Sequence, residues 1–417
     1  MISVEKFVNV IHEQLLDPLL ITSFGFSPRY STDPKNFSSA FLHTKSSSGM
    51  GKMNGRCIWW HEEPLNYIDL DGIRYQDVYM PEMEMLCYRS AEYTVAPGPP
   101  SQPGMLAQAY TVNFHVFANS EKSPLKKQFL KDWQVYDWYF FFHGFAALNW
   151  FNDYKYLNFS NYNLSKVFIC LNYLITNNRS YRLNLLSHLR QAKLEPYGFV
   201  SAPLLNKDII KQELFDPNTK LSVPAKKHIL NHLTTTAAPI VLDVCNYKSA
   251  SADVIDPKFQ VESLWSVVTE TVFYEDKLHL TEKIFKPIVT RRPFILVGGF
   301  GNLAYLKSYG FKTFDRWIDE SYDNEQDPDI RIKLITDQLK ILCSMPWTDL
   351  LKMYEEMQET LEFNHHHFYN KFKEIIVNEL VDNFEICTKQ YNMGLSNRFK
   401  LPTKYINFES VKKLLLK

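Results

Sequence analysis

A chain of 417 residues with 46 Lys+Arg against 46 Asp+Glu carries no net charge, so only a local basic patch could hold it on nucleic-acid phosphates. A hydrophobic fraction of 45% with 22% charged residues excludes a disordered chain and supplies core for two or three domains. The six cysteines, Cys57, Cys87, Cys170, Cys245, Cys343 and Cys387, show no CxxC spacing, which points to neither a zinc site nor a disulfide framework and suits a reducing cytoplasm.

No stretch reaches the roughly 18–20 apolar residues of a membrane span. Residues 1–21 lack a basic start and an unbroken apolar run, so no signal peptide is expected. Instead Val4, Phe7, Val8, Ile11 and Leu15 follow helical spacing and predict an amphipathic helix. Up to residue 150, strands are expected at 19–22, 56–60, 112–117 and 138–142, with a polar loop at 36–54 and a Pro/Gly turn region at 96–104.

The expected strand 56–60 runs into His61, Glu62 and Glu63, and Pro64 holds Glu63 extended. Ionisable groups at a strand's end are well placed for general-base work, Glu63 foremost. His143, in FFHGF, fits a core group in an aromatic setting or a cleft-lining base. Asp69-Leu70-Asp71 spells a DxD beside the turn residue Gly72, a pattern common by chance.

Residues 151–165 have no clear period and read as an interdomain linker. A strand at 166–171 leads to Asn177, Arg179 and Arg182, and a helix is expected at 181–192. Further strands are expected at 198–200, 239–244, 264–268, 293–297 and 311–314.

Residues 270–299, ETVFYEDKLHLTEKIFKPIVTRRPFILVGG, join two of those apolar runs through a charged loop and a short helix. That is the βαβ pattern of a parallel sheet. Glu270, Thr281, Glu282, Lys283 and Lys286 crowd the loop and first turn, beyond a strand's carboxyl end, where ligands of open α/β sheets sit. Glu282 and Lys286 share a helix face. Pro287 has no N–H for the carbonyl of Lys283, so the helix is kinked or restarted there. Lysines at a helix start suit a diphosphate; the spacing equally fits a solvated surface ion pair.

After the glycine cluster 298–301, the acidic stretch DRWIDESYD at 315–323 reads as a solvated loop, with metal binding as the other reading though its acidic residues follow no known ligand spacing. Asp327-Pro328 is a helix start, followed by the apolar faces Ile332, Ile335, Leu339, Leu342 and then Leu350, Tyr354, Met357, Leu361. His365-His366-His367 reads as an exposed helix face, since neighbouring helix residues point about 100° apart and do not converge on one ion.

TEKIFKP, 281–287, resembles the nucleotide-sugar motif of GT-B glycosyltransferases, in particular the fucosyltransferase and exostosin-like branches. There a Glu–Lys pair at a helix start faces the nucleotide, preceded by an upstream Glu; Glu270, Glu282 and Lys283 match those positions. The following PFILVGGFGNLAYLKSYGFKTF is similar to the strand, loop and helix after that motif. The likeness covers the C-terminal half. HEEPL, FFHGFAALNW and FDRWIDESYD resemble segments of proteins encoded by large tailed phages.

The resemblance implies an α/β fold of two Rossmann-like domains facing a cleft, with C-terminal helices. Residues 1–150 would be the acceptor-side domain, 151–165 the linker, 166–345 the nucleotide-sugar domain and 346–417 helices packing across both. Asn177, Arg179, Arg182, Glu270, Thr281, Glu282, Lys283 and Lys286 would meet a nucleotide-sugar donor without a metal ion or cofactor. His61, Glu62, Glu63 or His143 would supply the base. The implied acceptor is a modified base in phage DNA or a glycan, the compartment a host cytoplasm, and no membrane is involved. The other readings are a non-catalytic phage structural or host-takeover binding protein of GT-B-like shape, and another α/β transferase using a phosphorylated donor.

Overall fold

Among the described residues every strand pairs with its neighbours in parallel, so each needs a crossover before the chain can re-enter its sheet. The protein is seen as a computed structural model that describes residues 9–19, 22–26, 56–61, 114–119, 122, 136–157, 164–242, 255, 257–274, 277–393, 395 and 400–417. It is a mixed α/β chain. Contacts divide it into two units, Met1–Asn149 with Lys373–Lys417, and Trp150–Phe372.

The first unit holds β1 (Thr22–Phe26), β2 (Arg56–His61), β3 (Phe114–Asn119) and β4 (Tyr136–Tyr139), hydrogen-bonded in that order, and α1 (Phe142–Trp150) follows β4 in the chain. The second begins with β5 (Lys166–Leu171), α2 (Tyr181–Gln191), β6 (Gly198–Ser201), α3 (Lys207–Phe215), α4 (Val223–His232) and α5 (Pro257–Glu262). It continues with β7 (Ser263–Thr269), α6 (Phe285–Val289), β8 (Phe294–Val297) and α7 (Asn302–Ser308). Helices α8 (Pro328–Ser344), α9 (Trp347–Glu356) and α10 (Gln358–His367) complete it. Helices α11 (Lys373–Asn392) and α12 (Phe408–Leu416) belong to the first unit.

In the first unit, β4 is fastened to α11. The Trp138 indole N–H donates to the Leu380 carbonyl at 2.8 Å, and Asn383 Nδ2 donates to the Tyr139 carbonyl at 2.9 Å. The Trp138 and Phe384 rings lie 4.5 Å apart. Of the expected apolar face, Ile11 and Leu15 are buried, Leu16 is buried beside them, and Val4, Phe7 and Val8 lie outside the described residues. Residues 36–54 and 96–104 and the Asp69–Asp71 pattern lie outside the described residues.

The second unit carries β5, β7 and β8 as apolar runs, KVFICL, SLWSVVT and FILV. All of β7 and β8 is buried, as a parallel strand covered on both faces requires. Gly198 opens β6 because a Cβ there would lie 2.4 Å from the Phe168 ring on neighbouring β5. The helix starts follow capping chemistry. Asn206 accepts from the N–H of Asp208 and Ile209, Ser222 from Ala225, and Asp327 from Asp329 and Ile330.

Several expectations need correction. Residues 239–242 contribute one antiparallel bridge, Ile240 to Ala202, and no strand. Residues 311–314 form no strand either, because Asn364 takes the place of a neighbour. Its Oδ1 accepts from Lys312 N at 2.8 Å and its Nδ2 donates to Lys312 O at 2.9 Å. The acidic stretch is no solvated loop at its core. Glu320 accepts from Thr313 Oγ1 and Phe314 N, both at 2.7 Å, and Asp323 accepts from Leu303 N and Ala304 N. Two of the three consecutive histidines are buried, and His367 Nε2 lies 2.7 Å from the Tyr309 carbonyl beside Gly310. Within the expected linker, 151–165, the described residues include the buried Phe151 and a 3-10 turn, Asn152–Tyr156, neither of which contradicts that reading.

No helix among the described residues is long and apolar enough to cross a membrane.

Candidate functional site

The second sheet is ordered β6-β5-β7-β8, so the chain goes outward from β5 to one side and then crosses to the other. Its switch point lies between β5 and β7. The loops leaving the carboxyl ends of those two strands run from there, the place where open α/β sheets generally bind ligands. One loop holds Asn177, Arg179 and, at the start of α2, Arg182. The other holds Glu270, Thr271, Thr281, Glu282 and Lys283.

The two loops are tied together through main-chain oxygens. Tyr181 Oη donates to the Glu270 carbonyl at 2.5 Å. Arg182 Nη2 donates to the carbonyls of Thr269 at 2.8 Å and Glu270 at 3.2 Å, and its Nη1 to that of Leu174 at 2.8 Å. Tyr181 stacks on Phe273 with ring centres 4.2 Å apart, and the hydroxyls of Ser180 and Tyr274 meet at 2.9 Å. Burial raises the pKa of Tyr181 and Tyr274, which keeps both hydroxyls neutral. Arg182 is 4% exposed, so its fork is committed to carbonyls at the end of β7.

Glu270 follows the last residue of β7 and is fully buried. Its carboxylate accepts from Thr281 Oγ1 at 2.5 Å and from Thr281 N at 3.3 Å. Burial pushes its pKa up, against the opposing pull of Lys283 and the Thr281 hydrogen bonds. Thr281 caps a 3-10 turn, Glu282–Ile284, that runs into α6. The helix therefore restarts at Phe285, and Pro287 sits in the first turn, where no N–H is needed.

Lys283 points its ammonium into this cluster. Nζ lies 3.0 Å from Glu282 Oε1, 3.1 Å from Thr281 Oγ1 and 3.4 Å from Thr271 Oγ1. Its side chain is 30% exposed, whereas that of Glu282 is 3% exposed. Lys283 is thus the charged group of the cluster that solvent reaches. Lys286 is half-buried, one turn further on. The loop is held from the other side by Asn302, whose Oδ1 accepts from His279 N and whose Nδ2 donates to Lys277 O, each at 2.9 Å.

The chain matches no family model, no curated protein and no solved structure.

Asn177 is exposed and left-handed, φ 56°, with its N–H held by Glu213 Oε2 at 2.9 Å. Arg179 is half-buried beside Tyr181. His143 lies inside α1 of the first unit, 3% exposed, edge-on to Phe142 at 5.2 Å. His61 is the last residue of β2, and Glu62 and Glu63 lie outside the described residues. Among the described residues no group of three or more His, Cys, Asp or Glu could hold a metal ion. Sequence reasoning missed Thr271, Tyr181, Glu213 and Asn302. Thr271 could have been found from its place just past Glu270; the others act through contacts distant in sequence.

Proposed function

We propose that this protein is a glycosyltransferase of GT-B type, moving a sugar from a nucleotide-sugar donor to an acceptor. One observation carries the reading. Glu270 links two loops at the switch point of a parallel sheet: Tyr181 and Arg182, after β5, bond its carbonyl, and Thr281 of the TEKIFKP motif bonds its carboxylate, beside a Lys283 side chain that is 30% exposed. In this reading the second unit is the Rossmann-like donor domain. Lys283, with Arg179 and Lys286, balances the donor diphosphate and stabilises the leaving group as the glycosidic bond breaks, the chief need of a transfer without metal. Thr271 and Thr281 orient the ammonium.

Glu270 is fully buried and so acts on the donor through Thr281 rather than by touching it. The first unit supplies the acceptor side, with the base among His61, Glu62 and Glu63; His143, buried in α1 against Phe142, packs the core instead. The acceptor is a modified DNA base or a glycan; the zero net charge disfavours DNA, and salt-sensitive retention on a duplex column would reverse that preference.

The test is a thermal-shift panel of UDP, GDP, CMP and their sugars on the wild type and on Lys283→Ala. The expected result is a shift with one nucleotide, lost in the variant; because the variant also removes a charge partner of the buried Glu282, its ligand-free melting temperature should fall, and each shift is read against its own baseline. Sugar transfer should vanish with it. No shift across the panel supports a non-catalytic binding protein instead.

A further inference from the structure

Away from the strand ends, the second unit gathers three histidines on two helices. His188 lies in the last turn of α2, and His228 and His232 lie one turn apart on α4. The rings of His188 and His228 are face to face, 3.9 Å between centres and 14° between planes. The His228 and His232 rings are 4.6 Å apart. His228 is held at both nitrogens, Nδ1 at 2.8 Å from Ser187 Oγ and Nε2 at 3.0 Å from Gln191 Oε1. The Ser187 hydroxyl also reaches the Asn184 carbonyl at 2.7 Å. Turning that hydroxyl, or the Gln191 amide, satisfies a neutral or a singly charged ring.

Parallel imidazoles at this separation direct their lone pairs side by side, which suits ring packing and not joint metal ligation. They also cannot both be charged: two like charges this close repel, and the second proton is held off. The charged groups acting on His188 are His228 and His232 from α4 and Asp337 and Lys340 from α8. Asp337, the acidic one, is already paired with Lys333 and Lys340, each at 2.8 Å. No unspent carboxylate in that set stands ready to receive an imidazolium.

We infer that the His188–His228 stack is an acid-released latch, holding α4 to α2 while the pair carries at most one proton and letting go when it takes a second. Burial, reinforced by His228, places His188 at about 4, and His228 is lowered as well. The sign follows. Folded-state values lie below the ordinary 6.5, so the contribution is whole above that pH and is lost as pH falls towards about 4. The latch matters beyond itself because α2 also carries Tyr181 and Arg182, which tie the loops at the switch point.

The test is urea unfolding of the full chain from pH 4 to 7.5 for the wild type, His188→Gln, His228→Gln and the double variant. Each single variant should flatten the acid limb of the stability curve, and the double variant should flatten it no further. Identical acid limbs in wild type and both single variants overturn the proposal. Ring NMR of the wild type needs no variant. One histidine of the pair should titrate at least one pH unit below 6.5; both titrating independently near 6.5 would overturn the latch.

Discussion

The hydroxyl of Thr281 donates to the carboxylate of Glu270 at 2.5 Å, joining the end of β7 to the turn that carries Lys283. Glu270 has no access to solvent, so its work is to hold that turn. Replacing it by Ala strips the acceptor from two Thr281 donors and leaves a void, an expected loss of about 2–4 kcal/mol. Gln keeps one acceptor and most of the volume, for about 1 kcal/mol at neutral pH. Burial raises the Glu270 pKa, so its contribution is whole below about 4.5 and declines as pH rises through the folded value. The gap between wild type and Glu270→Gln should therefore narrow from pH 4 to pH 8 in urea unfolding. A gap that widens would mean that Lys283 outweighs burial and keeps the carboxylate ionised.

Arg182 separates a ligand contact from a structural one. Its guanidinium serves three carbonyls, those of Leu174, Thr269 and Glu270. A lysine ammonium is a point donor and cannot span them. Arg182→Lys should lower stability by about 2 kcal/mol, and Arg182→Ala by about 3–5 kcal/mol, since the buried oxygens lose their partner. A variant of wild-type stability that binds nucleotide weakly would return Arg182 to direct donor contact.

What could be read in advance follows the range of the forces involved. The strand 166–171 coincides with β5, and 264–268 falls inside β7, because an apolar run bounded by polar residues is a local signal. Residues 311–314 carry a similar signal, yet Asn364 meets Lys312 from a helix distant in sequence, and no window of sequence contains that pair. The acidic stretch misled for the same reason: Asp323 finds its donors at Leu303 and Ala304. At the site, the residue types after β5 and β7 were legible, since crossover loops must pass the carboxyl ends of parallel strands. Which of them stay open was not. Glu270 and Lys283 look equally polar in the sequence, and only packing buries one and leaves the other in contact with water.

Asn177 offers a test in which backbone and side chain come apart. Its φ of 56° is one that Asn and Gly tolerate and β-branched residues resist, and Glu213 fixes it through the N–H. Asn177→Gly should leave stability within about 0.5 kcal/mol, and Asn177→Val should cost about 1–2 kcal/mol. If the exposed amide meets the donor, the Gly variant loses part of the nucleotide thermal shift at unchanged stability. A shift equal to wild type assigns Asn177 to loop geometry alone.

In the first unit the decisive contact is that of Trp138 with α11. The indole N–H donates to the Leu380 carbonyl, and the ring lies 4.5 Å from Phe384 at 48°. Leu380 sits within the helix, so its carbonyl has helical bonding to fall back on, and Trp138→Phe should cost only about 1–2 kcal/mol. Phe384→Ala opens a cavity at a fully buried site and should cost about 3–5 kcal/mol. The two changes should not add, because each removes part of the same ring contact. A double-mutant cycle by urea unfolding should return a coupling of about 0.5–1.5 kcal/mol. Zero coupling would mean that α11 is held to β4 by its hydrogen bonds, among them Asn383 to Tyr139, and that the aromatic pair only fills space.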